Sequence, residues 1–448
     1  MGEHVDDPGQ DDVDRLVRRA GVFLLRNSSE GTFDLDITLR EIGRAYGARV
    51  EALINMEGMS YVVTHADGHQ RSGIVHAQPA LERLDQLATF KDLTTRISTG
   101  DLTAAQAGAA LDHLEASPSP YPVWARFLGV ILFAAGFAPS MQANWRQVGG
   151  SVVLGAVMAV VYLVGERLEI LRTILPLVAA TAVAVVGFGL LHQAHAHGGP
   201  VLVMVPALFV MIPGDFLCAA AAEISVGQFT VGTIRLVQSV FILLQLAAGV
   251  IIGAAVTGVG TAALISSTTV NNIPWIVTAL AWIPFTLGMA LTFCARRQDI
   301  GWLLFGVYTA WGVQLLVVRA FGDAAGTFTA AVVLTLLGML LGRSPRRPPN
   351  LIIILGGVFV LTVGSMALRG LTTLAGGHLI ESFHDLATFS RVAGSLSLGL
   401  IVGTSAGVLI LRSRSAEVAD EVAADRGPTG RSRASVRHHG DGPGQTQR

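Results

Sequence analysis

Lysine is almost missing from this chain: Lys91 is the only one among 31 Lys and Arg residues. A phosphate-gripping loop of the GxxxxGK[ST] type needs a lysine after its second glycine. Lys91 follows Phe90 and precedes Asp92, so the chain carries no ATP-binding loop of that kind. Cysteine is as scarce. Cys218 and Cys294 both fall in apolar runs, which excludes a disulfide framework and any CxxC metal or redox motif. Each reads as a small buried hydrophobe. Charged residues make up 14% and the formal net charge is −1, so no nucleic-acid partner is expected. The opening MGEHVDDPGQDDVD is acidic and polar, without the basic and apolar regions of a signal peptide. Gly2 lacks the Ser or Thr context of a myristoylation motif. Within residues 11–117 neither GxSxG nor HExxH occurs, and His65, His69 and His76 only flank strand-like runs. No catalytic constellation and no cofactor motif emerges, so an enzyme is not expected.

What the chain does have is apolar length, and it has it twice. Of 448 residues, 51% are hydrophobic, and the mean hydropathy is +0.56, values that a soluble globular chain of this size rarely reaches. The stretch VPALFVMIPGDF (205–216) lies 150 positions before LGGVFVLTVGSM (355–366), and LAAGVIIG (246–253) lies 150 before LSLGLIVG (396–403). Gly214 thus pairs with Gly364, Gly249 with Gly399 and Gly253 with Gly403. Each copy holds about five runs long enough to span a bilayer. Five is odd, so the second copy must cross in the opposite sense. Inverted repeats characterise secondary transporters and put the substrate site at the repeat interface.

The expected fold is mainly α, a polytopic membrane protein with about ten transmembrane helices as two inverted five-helix repeats, preceded by a soluble α+β domain. Residues 1–10 read as disordered. Residues 11–117 read as the soluble domain: helical spacing of Val13, Leu16, Val17, Ala20 and Leu24, a second amphipathic helix closed by Gly47, strand-like runs around Asp67-Gly68, then helices over 79–97 and 103–116. A Ser/Pro linker (117–122) leads into the membrane. The first membrane repeat occupies 118–256, with spans at 123–141, 148–165, 171–191, 201–222 and 234–256. The second occupies 257–411, with spans at 273–295, 301–318, 324–342, 351–368 and 389–411. Residues 412–448 read as a disordered tail. With a cytoplasmic N-terminus the inner loops hold Arg167, Arg172, Arg296, Arg297, Arg343, Arg346, Arg347, Arg412 and Arg414, against Arg146, Arg319, Arg369 and Arg391 outside, as the positive-inside rule asks. Both termini are then cytoplasmic, and the soluble domain is expected to touch the loops after spans two and four.

Pro213, Gly214 and Asp215 form the first candidate site. Proline removes a backbone donor and glycine adds freedom, so together they can break a helix in mid-membrane and free backbone groups for a ligand. Asp215 is the only acid deep in a span, and an intramembrane carboxylate is expected to bind an ammonium or couple to protons. The polar run that follows holds Glu223, Gln228 and Arg235; its counterpart holds His378, Glu381, His384 and Asp385, with His378, Glu381 and Asp385 spaced for one helix face. These read as an interfacial helix or gate rather than a metal site, because their spacing matches no specific ligand signature. The loop HQAHAHGG (192–199) reads as a solvated turn, and Glu166, Arg167 and Glu169 as an interfacial charge cluster.

The order of these parts resembles the threonine/serine exporter family over roughly residues 15–411. Family members read like Ile-Pro-Gly, then an Asp, a Gly-Asp and a Gly-x-x-Arg; here the run is IPGDFLCAAAAEISVGQFTVGTIR, in which Pro213, Gly214, Gly227, Gly232 and Arg235 match. Glu223 and Gln228 stand where aspartates are usual, and Val363-Gly364 stands where the second copy commonly has Pro-Gly. The resemblance implies export of a small polar amino acid, with export of a dicarboxylate such as succinate as the alternative suggested by split-chain relatives. A dicarboxylate would want a basic site, and arginine is sparse within the spans. A membrane-anchored sensor is the alternative of another class, although ten spans exceed what an anchor needs. The expected partners are a small amino or organic acid, protons and the lipid bilayer, with self-association into a homo-oligomer left open.

Overall fold

The computed structural model describes residues 8–27, 32–55, 58–77, 83–142, 144–168, 173–191, 200–225, 227–260, 273–344, 347–361 and 363–425. The N-terminal part opens with helices α1 (Pro8–Arg26) and α2 (Thr32–Ala45). Three antiparallel strands follow, β1 (Arg49–Asn55), β2 (Gly58–Thr64) and β3 (Gln70–His76), with β2 central. Val50 pairs with Val63 and Met59 with Val75, so these side chains share the buried face. The other face stays solvated and carries Leu53 and Ile74, 76% and 70% exposed. The turn between β2 and β3 uses Gly68 at φ +85° and the Asp67 carboxylate, which accepts from the His69 amide. Helices α3 (Leu84–Ser98) and α4 (Ala104–Ala116) complete the unit; Thr103 and Gln106 form a capping box at the start of α4. Leu16, Val17, Ala20, Leu39, Ile42, Val63, Phe90, Ile97 and Leu111 meet in one core. Helix α1 starts at Pro8, inside the stretch expected to be disordered.

Among the described residues eleven further helices form the apolar part: α5 (Val123–Met141), α6 (Trp145–Arg167), α7 (Leu175–Leu191), α8 (Pro200–Leu208), α9 (Gly214–Ser225), α10 (Phe229–Val256), α11 (Trp275–Thr292), α12 (Ile300–Gly342), α13 (Asn350–Val360), α14 (Val363–Ala375) and α15 (Leu379–Asp425). Among the described residues six stretches are long and apolar enough to cross a bilayer, namely α5, α6, α10, α11, Arg297–Gly342 and Leu379–Ile410. Leu175–Gly189, Pro200–Met211 and Asn350–Val360 are shorter apolar helices. The molecule is thus a mainly helical, multi-pass membrane protein with a small sheet. Helix α12 is two arms. Gly322, at φ +81° and ψ 174°, reverses the chain, and Gly326 then lies against Val318 while the Gln314 amide reaches Thr327.

Contacts at close-packed glycines reveal how the helices run. A Cβ on Gly136 would sit 2.2 Å from the Phe285 amide nitrogen, and one on Gly288 would sit 2.2 Å from that of Phe133. Further along, Gly129 abuts Leu291 and Thr292. Advancing along α5 therefore means retreating along α11: the two helices are antiparallel. Gly249 abuts Leu177 and Ala180, and Gly253 abuts Ala184, so α10 runs parallel to α7. The second half has the same seam: Gly399 abuts Phe328 and Ala331, and Gly403 abuts Val332 and Thr335. Small residues at these seams let backbones approach where burial in lipid supplies no hydrophobic drive.

Two boundaries of the last helix differ from the sequence reading. The polar run at 377–391 is helical from Leu379 and continuous with span ten, so α15 begins before the expected start at 389. That helix also continues to Asp425, past the expected end at 411. Residues 426–448 lie outside the described residues.

The N-terminal part docks through α3, whose Leu84, Leu87 and Ala88 belong to the core of the membrane helices. The Leu84 and Asp85 amides donate to the carbonyls of Phe293 and Cys294, at 3.0 and 3.1 Å. Arg296 donates to Asp92 at 2.7 Å. The Lys91 ammonium donates to the carbonyls of Gly342, Ser344, Arg347 and Pro348. These are the last carbonyls of α12 and its exit, where a cation complements the free acceptors and the helix dipole. Among the described residues this docking falls on the segments that follow α11 and α12, not on the loops that the sequence reading expected. The reason is the pairing of α5 with α11, which brings the end of α11 beside the linker: Tyr121 donates to Ala295 O at 2.8 Å.

Candidate membrane site

The interrupted helices frame the site. In the first half α8 ends at Leu208, a 3-10 turn covers Phe209–Met211, and α9 starts only at Gly214. Pro213 cannot donate a backbone hydrogen bond, and the Gly214 amide bonds Ile212 O at 2.8 Å instead of continuing the helix. The second half breaks at the matching place: α13 ends at Val360 and α14 starts at Val363. No proline stands there, and Leu361 at the end of α13 is fully buried. Asp215 falls in the first turn of α9 and Gly364 in that of α14; their side-chain surroundings lie outside the described residues. The histidine loop at 192–199 lies outside them as well.

Beyond each break, a half-helix turns back into a long helix. Gly227 at φ +87° and Gly377 at φ +86° make the two turns. At the first, the Gln228 amide bonds Glu223 O at 2.9 Å; at the second, the His378 amide bonds Thr373 O at 3.2 Å. Arg235 is fully buried, at 0% exposure, and Glu223 is 5% exposed. The guanidinium meets the carboxylate with two bonds, Nε to Oε2 and Nη2 to Oε1, both 3.1 Å. Such a fork is the pairing that makes a buried charge tolerable. The Arg235 guanidinium also lies over the Phe216 ring, 5.4 Å from its centroid. Its Nη1 is buried without a hydrogen-bond partner. Arginine at depth is therefore present, but neutralised by Glu223.

The second-half candidates separate. His378 precedes α15 rather than sharing its face. Glu381 is exposed in the first turn, while Asp385 is partly buried and lies 4.0 Å from Arg369 on α14. Sequence reading missed Arg369 as a site residue, having placed it only among loop charges. It also left the partner of Glu166 open; Glu166 pairs with Arg126 of α5. The repeat register could have found Arg369–Asp385, because position 385 is the counterpart of 235.

Comparison with known proteins fits this geometry. The profile of the family described as "Putative threonine/serine exporter" matches residues 15–257. The "Probable threonine/serine exporter" of Mycobacterium tuberculosis is 23% identical over 414 residues, covering 86% of this chain and 75% of that one. The "Threonine/serine exporter" of Corynebacterium glutamicum is 21% identical over 415 residues, covering 87% and 81%. No solved structure matches. The profile spans more than half of the chain, soluble part and broken helix included, and the chain belongs to the threonine/serine exporter family.

Proposed function

We propose that this protein is a proton-coupled secondary exporter of a small polar amino acid, threonine or serine in type. The observation that carries the reading is the pair of helix breaks at matching places, between Leu208 and Gly214 and between Val360 and Val363, in halves whose leading helices α5 and α11 run antiparallel. Broken helices near the midplane, related by a two-fold axis in the membrane plane, free backbone groups for a polar solute. The ten-span count follows if α12 supplies two spans and α8–α9 and α13–α14 one each. Residues 118–256 and 257–411 are then the two inverted repeats. Residues 11–117 form a cytoplasmic domain, and both termini face the cytoplasm of an inner membrane. Asp215, just past the first break, is the residue proposed for substrate-ammonium binding or proton coupling. The names of the two relatives support the substrate class. The Glu223 fork cancels the charge of Arg235, which weighs against a dicarboxylate.

Efflux from cells preloaded with labelled threonine, serine or succinate tests the reading. Export of threonine or serine, abolished by collapsing the proton gradient, supports it; export of succinate alone overturns the substrate class. A tag at residue 1 reached by protease only from outside intact cells overturns the orientation.

A further inference from the structure

The two hairpins beyond the breaks carry one ion pair each, and the pairs have opposite polarity. In the first, the acid Glu223 is on the half-helix α9 and the base Arg235 on the long helix α10. In the second, the base Arg369 is on the half-helix α14 and the acid Asp385 on the long helix α15. Asp385 occupies the repeat position of Arg235. The hairpins themselves cross alike. Gly232 abuts Ala220 O, and at the matching positions Ser382 donates to Gly370 O at 2.8 Å. The pairs differ in closure. Glu223–Arg235 is forked at 3.1 Å with side chains 6% and 0% exposed, whereas Arg369–Asp385 stands at 4.0 Å with 13% and 20%. Each half-helix also packs on the other half's long helix, α9 against α15 and α14 against α10. The two hairpins are thus in direct contact.

We propose that Glu223–Arg235 and Arg369–Asp385 are the two gates of the exporter, one at each face of the membrane, closing alternately, and that this structure has the Glu223–Arg235 gate shut and the Arg369–Asp385 gate slack. Either closed gate is electrically neutral, so a shut hairpin leaves no net charge in the low-dielectric region. Opening one gate exposes its charges to water while the opposite pair desolvates together. The proposal rests on the inverted-repeat exporter reading.

The test uses the full chain with Cys218→Ser and Cys294→Ser, and two reporters in separate proteins: Thr373→Cys beside Arg369, and Ala220→Cys beside Glu223. Both reporter positions are buried. Labelling by a membrane-impermeant maleimide is followed in cells and in inside-out vesicles. Asp385→Asn should raise labelling at 373 and lower it at 220. Glu223→Gln should do the reverse, each by about tenfold, as expected when one state of a two-state equilibrium loses its ion pair. A damaged fold would raise labelling at both reporters, and an inert ion pair would change neither; both results overturn the proposal. Should Glu223→Gln fail to fold, Arg369→Gln must still move the two reporters in opposite directions. The charge-reversed pair Arg369→Asp with Asp385→Arg should regain efflux lost in Asp385→Arg alone. Reciprocal labelling from the exchanged sides would uphold the gates and refute the orientation. Reciprocal labelling without threonine or serine efflux would uphold the gates and refute the substrate.

Discussion

Phe133 and Phe285 stack with ring centroids 4.7 Å apart and planes 21° from parallel, and each ring's backbone amide faces the glycine one turn beyond the other ring. The contacts are reciprocal, Gly136 on Phe285 and Gly288 on Phe133, so the seam between α5 and α11 is self-complementary. Any side chain at Gly136 or Gly288 meets backbone, which cannot swing away. Gly136→Val and Gly288→Val should each destabilise the protein by about 1–3 kcal/mol and lower the melting temperature in detergent by similar amounts. Gly149→Ala, where a Cβ meets nothing within 4 Å, should leave it unchanged.

The fork between Arg235 and Glu223 predicts an asymmetry between single and double changes. Glu223→Gln or Arg235→Met leaves a buried charge without its counter-ion and should cost about 3–5 kcal/mol. The double variant removes both charges and should recover most of that loss. A double-mutant cycle on thermal unfolding measures the coupling, and additive losses would mean that the fork contributes nothing.

Asp215→Asn keeps size and much of the hydrogen bonding while removing the titratable group. The variant should reach the membrane normally, lose gradient-driven efflux, and keep exchange of substrate for substrate. Efflux at the unaltered rate across a range of pH would exclude Asp215 from coupling.

Lys91 ties α3 to the end of α12, and the thiol of Cys294 reports on that contact. Cys294 is 2% exposed and lies 3.2 Å from the Ser119 hydroxyl. Burial pushes its pKa up, only partly offset by the Ser119 hydrogen bond and the nearby Arg126. Less thiolate forms at neutral pH, so alkylation should be slow and should accelerate only at a higher pH than for a free cysteine. In a Cys218→Ser background, Lys91→Met should loosen the docking, expose the thiol, and shift that pH profile downward. An unchanged profile would show that Lys91 is not a tether.

The strands, the turn at Asp67-Gly68, the start of a helix at Thr103 and the longest apolar runs were all legible in the sequence. Each depends on residues near one another in the chain, or on a period in it. The break before Gly214 was legible too, because proline acts on its own backbone. The break before Val363 carries no such residue, and only the folded chain reveals it. The identity of each charge's partner needed the folded chain. Arg235 looked like one more interfacial arginine until α9 turned back at Gly227 and brought Glu223 to it. Arg369 looked like a loop charge until Gly377 did the same for Asp385. The docking of α3 on second-half loops was equally hidden, because it depends on α5 lying antiparallel to α11. Apolar length and backbone preference are properties of a segment, whereas the cost of burying a charge is settled only by which neighbour the tertiary fold places against it.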